Sequence, residues 1–361
     1  MARQGKLQGM DDQKVISAVE WYQKNRDFYK RLALKIELMI KGILEYSEID
    51  FHSITSRAKD IESFKKKAGK DKYLDPKTEI LDLAGIRITA YVESDVNKIC
   101  EVIESEFNII PEHSVNKSEI LKYNEVGYRS VHYVAKLKGN RATLPEYKGL
   151  DAPFEIQIRT ILQHAWAEIE HDRNYKFEGS ELPEHAQIKR RFALLAANLE
   201  TVDREFNAII RDIDFYGNQV IEDTKKGKLD IPIDSISLTK YLTSKLESVA
   251  SYVRSGLGHN SKNIIDELLE FGIRDLADLD KLINESDFIE KIKKHGKNGF
   301  PPTNFVSTLR RLMIMNDAEK YFEKSYRKNG VWRTKGDGDF ATFLAENGVD
   351  KEILSQNKLF N

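Results

Sequence analysis

Apolar positions near the start of the chain recur at helical spacing: Val15, Ala18, Tyr22, Tyr29, Leu32, Ile36 and Ile40 share one stripe between Gln13 and Glu45. That period predicts one long helix or a helix pair opening the fold. The pattern then changes. Four short runs, "DFHSIT", "IRITAYV", "SVHYVAKL" and "PFEIQIRT", are rich in β-branched and aromatic residues and are separated by helical or loop-like spacers. They predict a mixed sheet with helices packed on it, an α/β core of roughly 130 residues. Beyond Pro183, the stripe Ile188, Phe192, Leu195, Leu199, Val202, Phe206, Ile209 and Ile213 predicts a second long helix, expected to pack back on the sheet. The polar stretch "TKKGKLDIPIDS", residues 224–235, carries Gly and Pro and reads as a linker. It would join a first domain, residues 1–223, to a smaller all-helical domain, residues 236–361, with stops at Gly258, Gly272, "NGFPP" and "KGDGD".

Composition narrows this picture. With 361 residues, 40% hydrophobic and 32% charged, the chain is globular and can build one large or two medium cores. Lysine plus arginine (57) nearly balances aspartate plus glutamate (58), so no global field draws it to nucleic acid or membrane. Any phosphate site must be a local concentration of charge. Cys100 is the single cysteine, which excludes an internal disulfide and a cysteine-based zinc finger and fits a reducing compartment. No apolar run approaches the roughly 20 residues a membrane helix needs, and none resembles a signal peptide. A cytoplasmic protein without a membrane partner is expected.

Four segments carry candidate chemistry. In "SITSRAKDIESFKKKAGK", Lys59, Ser63 and Lys67 are four residues apart and would share a helix face, with Arg57 just ahead. A hydroxyl among cations suits a polyphosphate; the plain alternative is a solvated basic face. In "EILDLAGIRITAYV", Asp82 precedes a strand that contains Arg87. Mg²⁺ takes one or two carboxylates and leaves its other positions to water and phosphate, so Asp82 is a candidate ligand, or else a turn or helix cap. Strict alternation would put Asp82 and Arg87 on opposite faces unless the chain turns between them. In "NEVGYRSVHYVAKL", Tyr128 beside Gly127 is either a base-stacking platform or a partly buried hydrophobe, and His132 alone is equally open.

The fourth segment is the most telling. In "PFEIQIRT", Phe154, Ile156 and Ile158 point one way and Glu155, Gln157 and Arg159 the other. The helix that follows carries His164, Trp166, Glu168, Glu170 and His171. His164, Glu168 and His171 lie on one helical side, so a metal triad has to be weighed. Their spacing is not the HExxH of zinc peptidases, and pairing along the helix is the simpler account.

Taken in order, these segments resemble the synthetase domain of the RelA/SpoT family of nucleotide pyrophosphokinases, over roughly residues 45–180. The resemblance implies a mixed sheet flanked by helices, related to nucleotidyltransferases. It also implies transfer of the β,γ-pyrophosphate of ATP to the 3′-hydroxyl of GDP or GTP. It assigns Arg57, Lys59, Ser63, Lys67 and Arg87 to the ATP phosphates, and Asp82 and Glu155 to Mg²⁺ and catalysis. Tyr128 would stack on the acceptor base, with His132, Gln157, Arg159, His164 and Glu170 lining the acceptor pocket.

Two positions depart from the small synthetases of that family: Asn124, with Lys122 two residues earlier, stands where a lysine is expected, and His164 where an asparagine is expected. They keep open a second acceptor, the 3′-CCA end of tRNA, used by toxic members of the family; the C-terminal domain would then be a fused antitoxin or sensor. A third reading is nucleotide binding without turnover. The N-terminal segment lacks a His-Asp pair like that of the family's hydrolases, so synthesis without hydrolysis is expected. Residues 236–361 are equally a candidate oligomerisation module or a docking point for a trigger protein.

Overall fold

The computed structural model describes residues 2–116, 130–174, 183–257, 261–326 and 338–356. The chain divides into two compact units, Met1–Ile210 and Arg211–Asn361.

Unit 1 opens with helix α1 (Ala2–Tyr46), whose stripe Ala18, Tyr22, Tyr29, Leu32, Ile36 and Ile40 is buried. The elements that follow are β1 (Ser53–Ala58), α2 (Ile61–Ala68), β2 (Ala84–Ala90), α3 (Glu93–Glu106), β3 (Phe107–Ile109), β4 (Val115–Asn116), β5 (Val131–Leu137), β6 (Phe154–Thr160) and α4 (Ile161–Asn174). Among the described residues they form a six-stranded mixed sheet in the order β1-β2-β6-β5-β3, with β4 beside β5. β2 and β6 run parallel, whereas β1 pairs antiparallel with β2 and β5 antiparallel with β6. Alternation sorts the residues by face. Ile86, Ile88, Phe154, Ile156, Ile158, Tyr133 and Ala135 join α1 and α3 in one core, which also takes Phe64 of α2.

Register aligns the other face. Arg87 lies opposite Gln157 and Gln157 opposite His132; Arg57 lies opposite Gly85 and Gly85 opposite Glu155. β6 sits centrally, so its polar alternation faces neighbours on both sides and is not an edge.

Helix α5 (Pro183–Lys225) departs from expectation. Its apolar stripe does not pack back on the sheet: Leu195, Val202, Phe206, Ile209 and Ile213 are all at least 41% exposed. The attachment lies about one residue round the helix, roughly 100° away. There Ala196 and Asp203 are buried, Asp203 accepts from Thr160 Oγ1 at 2.6 Å, and Asn207 accepts from the Ser94 N–H at 3.0 Å.

Unit 2 begins inside α5 and contains α6 (Ser235–Lys245), α7 (Ser261–Phe271), α8 (Leu276–Glu285), α9 (Phe288–Lys297), α10 (Phe305–Asn316), α11 (Gly338–Glu346) and α12 (Lys351–Gln356). It is not wholly helical: Val253–Arg254 and Thr303–Asn304 pair as parallel β7 and β8, an arrangement extended by Thr303 N–H donating to the Tyr252 carbonyl. Its own core runs from Val220 to Leu354. The stretch 224–235 differs from a free linker because its backbone is tied to the α7–α8 turn. Ile233 N–H donates to Arg274 O, and Leu229 and Ile231 carbonyls accept from Ala277 and Leu276.

Candidate active site

Lys59 is the first functional residue to be positioned. The lysine was expected on a helix with Ser63 and Lys67, but it precedes α2, whose N-cap is Asp60, accepting from Ser63 N–H. The cap ends the extended segment one residue after Lys59, and backbone bonds hold that residue: its N–H donates to Leu83 O, and its carbonyl accepts from Tyr22 Oη at 2.8 Å and Arg26 Nε at 3.3 Å. Burial pushes the Tyr22 phenol up to about 12, so it stays a donor. Ser63 and Lys67 do lie on α2.

Asp82 gathers the two lysines. Its Oδ2 accepts from Lys59 Nζ at 2.7 Å and Lys67 Nζ at 2.8 Å, while its buried Oδ1 has no hydrogen-bond partner. Burial alone would raise this carboxyl, but Lys59 and Lys67 outweigh it and hold it below the ordinary range. Burial likewise pulls the Lys67 ammonium down, and its bond to the Asp82 carboxylate, with that group's charge, overcomes this and raises it. Asp82 lies outside β2, so strand alternation does not bind it, and it shares a cavity with Arg87.

That cavity, about 180 Å³, is lined by Thr55, Ser56, Arg57, Lys59, Asp82, Gly85, Ile86, Arg87, Glu155 and Gln157. Asp82 and Glu155 therefore meet at one site, and the Asp82 charge is felt at Glu155. Both Glu155 oxygens accept: Oε1 from His132 Nδ1 at 3.1 Å, Oε2 from Gln157 Nε2 at 2.9 Å. A carboxylate only accepts, so Nδ1 carries the histidine proton, while Nε2 lies 2.9 Å from Ser130 Oγ. Burial would raise Glu155, but His132 dominates and holds it below the ordinary range.

A second, adjoining cavity of about 390 Å³ shares Arg57, Lys59, Arg87 and Gln157 and adds Asp60, Ser63, Arg159, Ala167 and Glu168. Here Glu168 Oε1 accepts from Arg87 Nη1 at 2.8 Å and from Arg159 Nη2 at 3.3 Å. His164 Nδ1 lies 3.7 Å from the same oxygen. Burial, then the charges of Arg159 and Arg87, lower the His164 pKa.

The structure thus brings together Arg57, Lys59, Ser63, Arg87, Glu155, Gln157 and Arg159 around two joined cavities, with Lys67 and His132 reaching in through Asp82 and Glu155. Glu170 and His164 line neither cavity, and Tyr128, with Lys122, Asn124 and Gly127, lies outside the described residues. Among the described residues no cluster of three or more His, Cys, Asp or Glu side chains could hold a metal ion; the side chain of His171 is not among them. Sequence reasoning missed Gly85. A glycine inside a strand signals close approach, and a Cβ there would meet nothing nearer than Arg57 O at 3.9 Å, so it would project into the space beside Glu155. It also missed Glu168 as the partner of two arginines.

Residues 56–180 match the family model described as a region found in RelA / SpoT proteins. This segment is a RelA/SpoT-type synthetase domain. The chain is 29% identical over 194 residues to GTP pyrophosphokinase YjbM of Bacillus subtilis (strain 168), covering 50% of this chain and 84% of that protein. It is 32% identical over 119 residues to GTP pyrophosphokinase YwaC of the same organism, covering 31% of this chain and 54% of that one. Among solved structures, the small alarmone synthetase 1 from Bacillus subtilis aligns with TM-score 0.45 at 26% identity, over 54% of this chain and 98% of that one. Both cavities of the RelA/SpoT domain fall within its matched residues, apart from Thr55 at the margin. No helix among the described residues is long and apolar enough to cross a membrane.

Proposed function

We propose that unit 1 transfers the β,γ-pyrophosphate of ATP to the 3′-hydroxyl of GDP or GTP. The observation that carries this reading is the meeting of Asp82 and Glu155 in one cavity with Arg57, Lys59 and Arg87. Pyrophosphoryl transfer needs in-line positioning and neutralised charge more than covalent chemistry, and this set of residues suits that need. The relatives' names as GTP pyrophosphokinases support the same class of reaction.

In this reading Arg57, Lys59, Ser63, Lys67 and Arg87 grip the ATP phosphates. Tyr128, His132, Gln157, Arg159, His164 and Glu170 serve the acceptor. The unpartnered, buried Asp82 Oδ1 beside Glu155 fits a divalent cation. Asp82 and Glu155 would hold Mg²⁺, which when bound neutralises charge on the phosphates. Lys59 and Lys67 keep Asp82 ionised, and His132 and Gln157 keep Glu155 ionised and oriented. A carboxylate held below its ordinary range is a weak base, so Glu155 suits a ligand's work better than proton abstraction.

Asn124, where a phosphate-binding lysine is expected, supports a second reading in which the acceptor is the 3′-CCA end of tRNA. One experiment separates these: purified protein with labelled ATP, Mg²⁺ and either GDP, GTP or bulk tRNA. Label on the guanosine nucleotide is the expected result. Label on tRNA alone replaces it with the second reading, and ATP binding without transfer to any acceptor leaves a nucleotide-binding module.

A further inference from the structure

The second cavity contains an anion of its own. Of its two acids, Asp60 is committed to capping α2, whereas Glu168 reaches across from α4 to two guanidiniums on different strands, Arg87 of β2 and Arg159 of β6. Arginine forks recognise carboxylate and phosphate by the same planar pairing of N–H donors. Both arginines line the cavity together with Arg57, Lys59 and Ser63, so a phosphate chain entering it meets a carboxylate already seated on its donors. Glu168 is also free to leave. Its side chain is 56% exposed, against 25% for Arg87 and 5% for Arg159, so the carboxylate can swing into water while the two guanidiniums stay in place.

We propose that Glu168 is an internal competitor for substrate phosphate, occupying donors of Arg87, on the ATP side, and of Arg159, on the acceptor side, that the substrates' phosphates must take over in order to bind. The inference rests on reading this cavity as the phosphate site. Its consequence is a weakened grip on polyphosphate: Glu168 sets the ATP concentration at which the enzyme fills, and an ATP chain succeeds where it also engages Arg57 and Lys59. The same pairing keeps two neighbouring like charges from facing each other uncompensated, because Arg87 and Arg159 share one acceptor oxygen.

The test is calorimetric titration of inorganic tripolyphosphate into the full chain, comparing wild type with Glu168→Gln, Glu168→Ala and Arg57→Ala. The uncharged variants at 168 should tighten binding about three- to tenfold, the range that two ion pairs made by an exposed carboxylate supply. They should also lower the KM for ATP by a similar factor. Unchanged or weaker binding in both variants overturns the proposal, since a residue that merely orients the arginines would weaken binding when removed. If Arg57→Ala weakens tripolyphosphate while the 168 variants do not strengthen it, the competitor idea falls and the phosphate site stands. If neither wild type nor Glu168→Gln binds tripolyphosphate, both fall.

Discussion

At the scale of single residues, Asp82 has two tasks where sequence reasoning saw one. Its Oδ2 neutralises Lys59 and Lys67, and its buried Oδ1 is left without a hydrogen-bond partner. Asp82→Asn should therefore abolish transfer and also cost about 1.5–3 kcal/mol, the usual worth of hydrogen bonds to charged groups, measured by urea unfolding. Glu155→Gln should abolish transfer while leaving the fold intact, because the amide oxygen still accepts from one of the two donors, His132 or Gln157, that Glu155 now holds. A Glu155→Gln variant with near-native turnover would remove Glu155 from the chemistry. The pH dependence follows from the lowered Asp82 value: its contribution is present above the ordinary carboxylate range and is lost as pH falls through the lowered pKa.

At the scale of elements, α5 is held to β6 and α3 through Asp203 and Asn207, beside buried Ala196, and not by its apolar stripe. Asp203 is buried, and burial raises its pKa, with the Thr160 hydroxyl only partly opposing. A raised carboxyl gives stability that is complete below the ordinary range and is lost as pH rises through the raised value. Asp203→Asn keeps an acceptor for Thr160 and removes the charge, so the variant should lose this pH dependence and match or exceed wild-type Tm at pH 7. A drop in Tm at pH 7 would show that the ionised form is the stabilising one. In unit 2, buried Glu267 accepts from Arg310 at 2.9 and 2.6 Å and from Tyr321 Oη at 2.8 Å. Glu267→Ala removes the bidentate carboxylate from a buried guanidinium and should cost about 3–5 kcal/mol in chemical unfolding, as broken buried pairs do.

For the whole molecule, two separate cores imply two folding units. Residues 211–361 contain every residue of their own core, from Val220 to Leu354, and the stretch 224–235 is bonded inside that unit. Expressed alone they should unfold in one cooperative transition with native near-UV circular dichroism; a gradual transition would show that unit 2 needs residues 1–210 to fold.

Periodicity and strand alternation were enough to read the α1 stripe, the strands near 86–92, 130–137 and 153–160, and the polar set Glu155, Gln157 and Arg159, because both are local properties of the chain. The cap at Asp60, which takes Lys59 off the helix, was written in the sequence but outweighed there by an apparent four-residue period. Sheet order and register decided the rest. Only the parallel pairing of β2 with β6 sets Gly85 against Glu155 and Arg87 against Gln157, residues about 70 positions apart along the chain. The choice of Glu168 by Arg87 and Arg159, and the turning outward of the α5 stripe, likewise depend on which distant surfaces meet, and pairings at long range leave no period for a sequence to display.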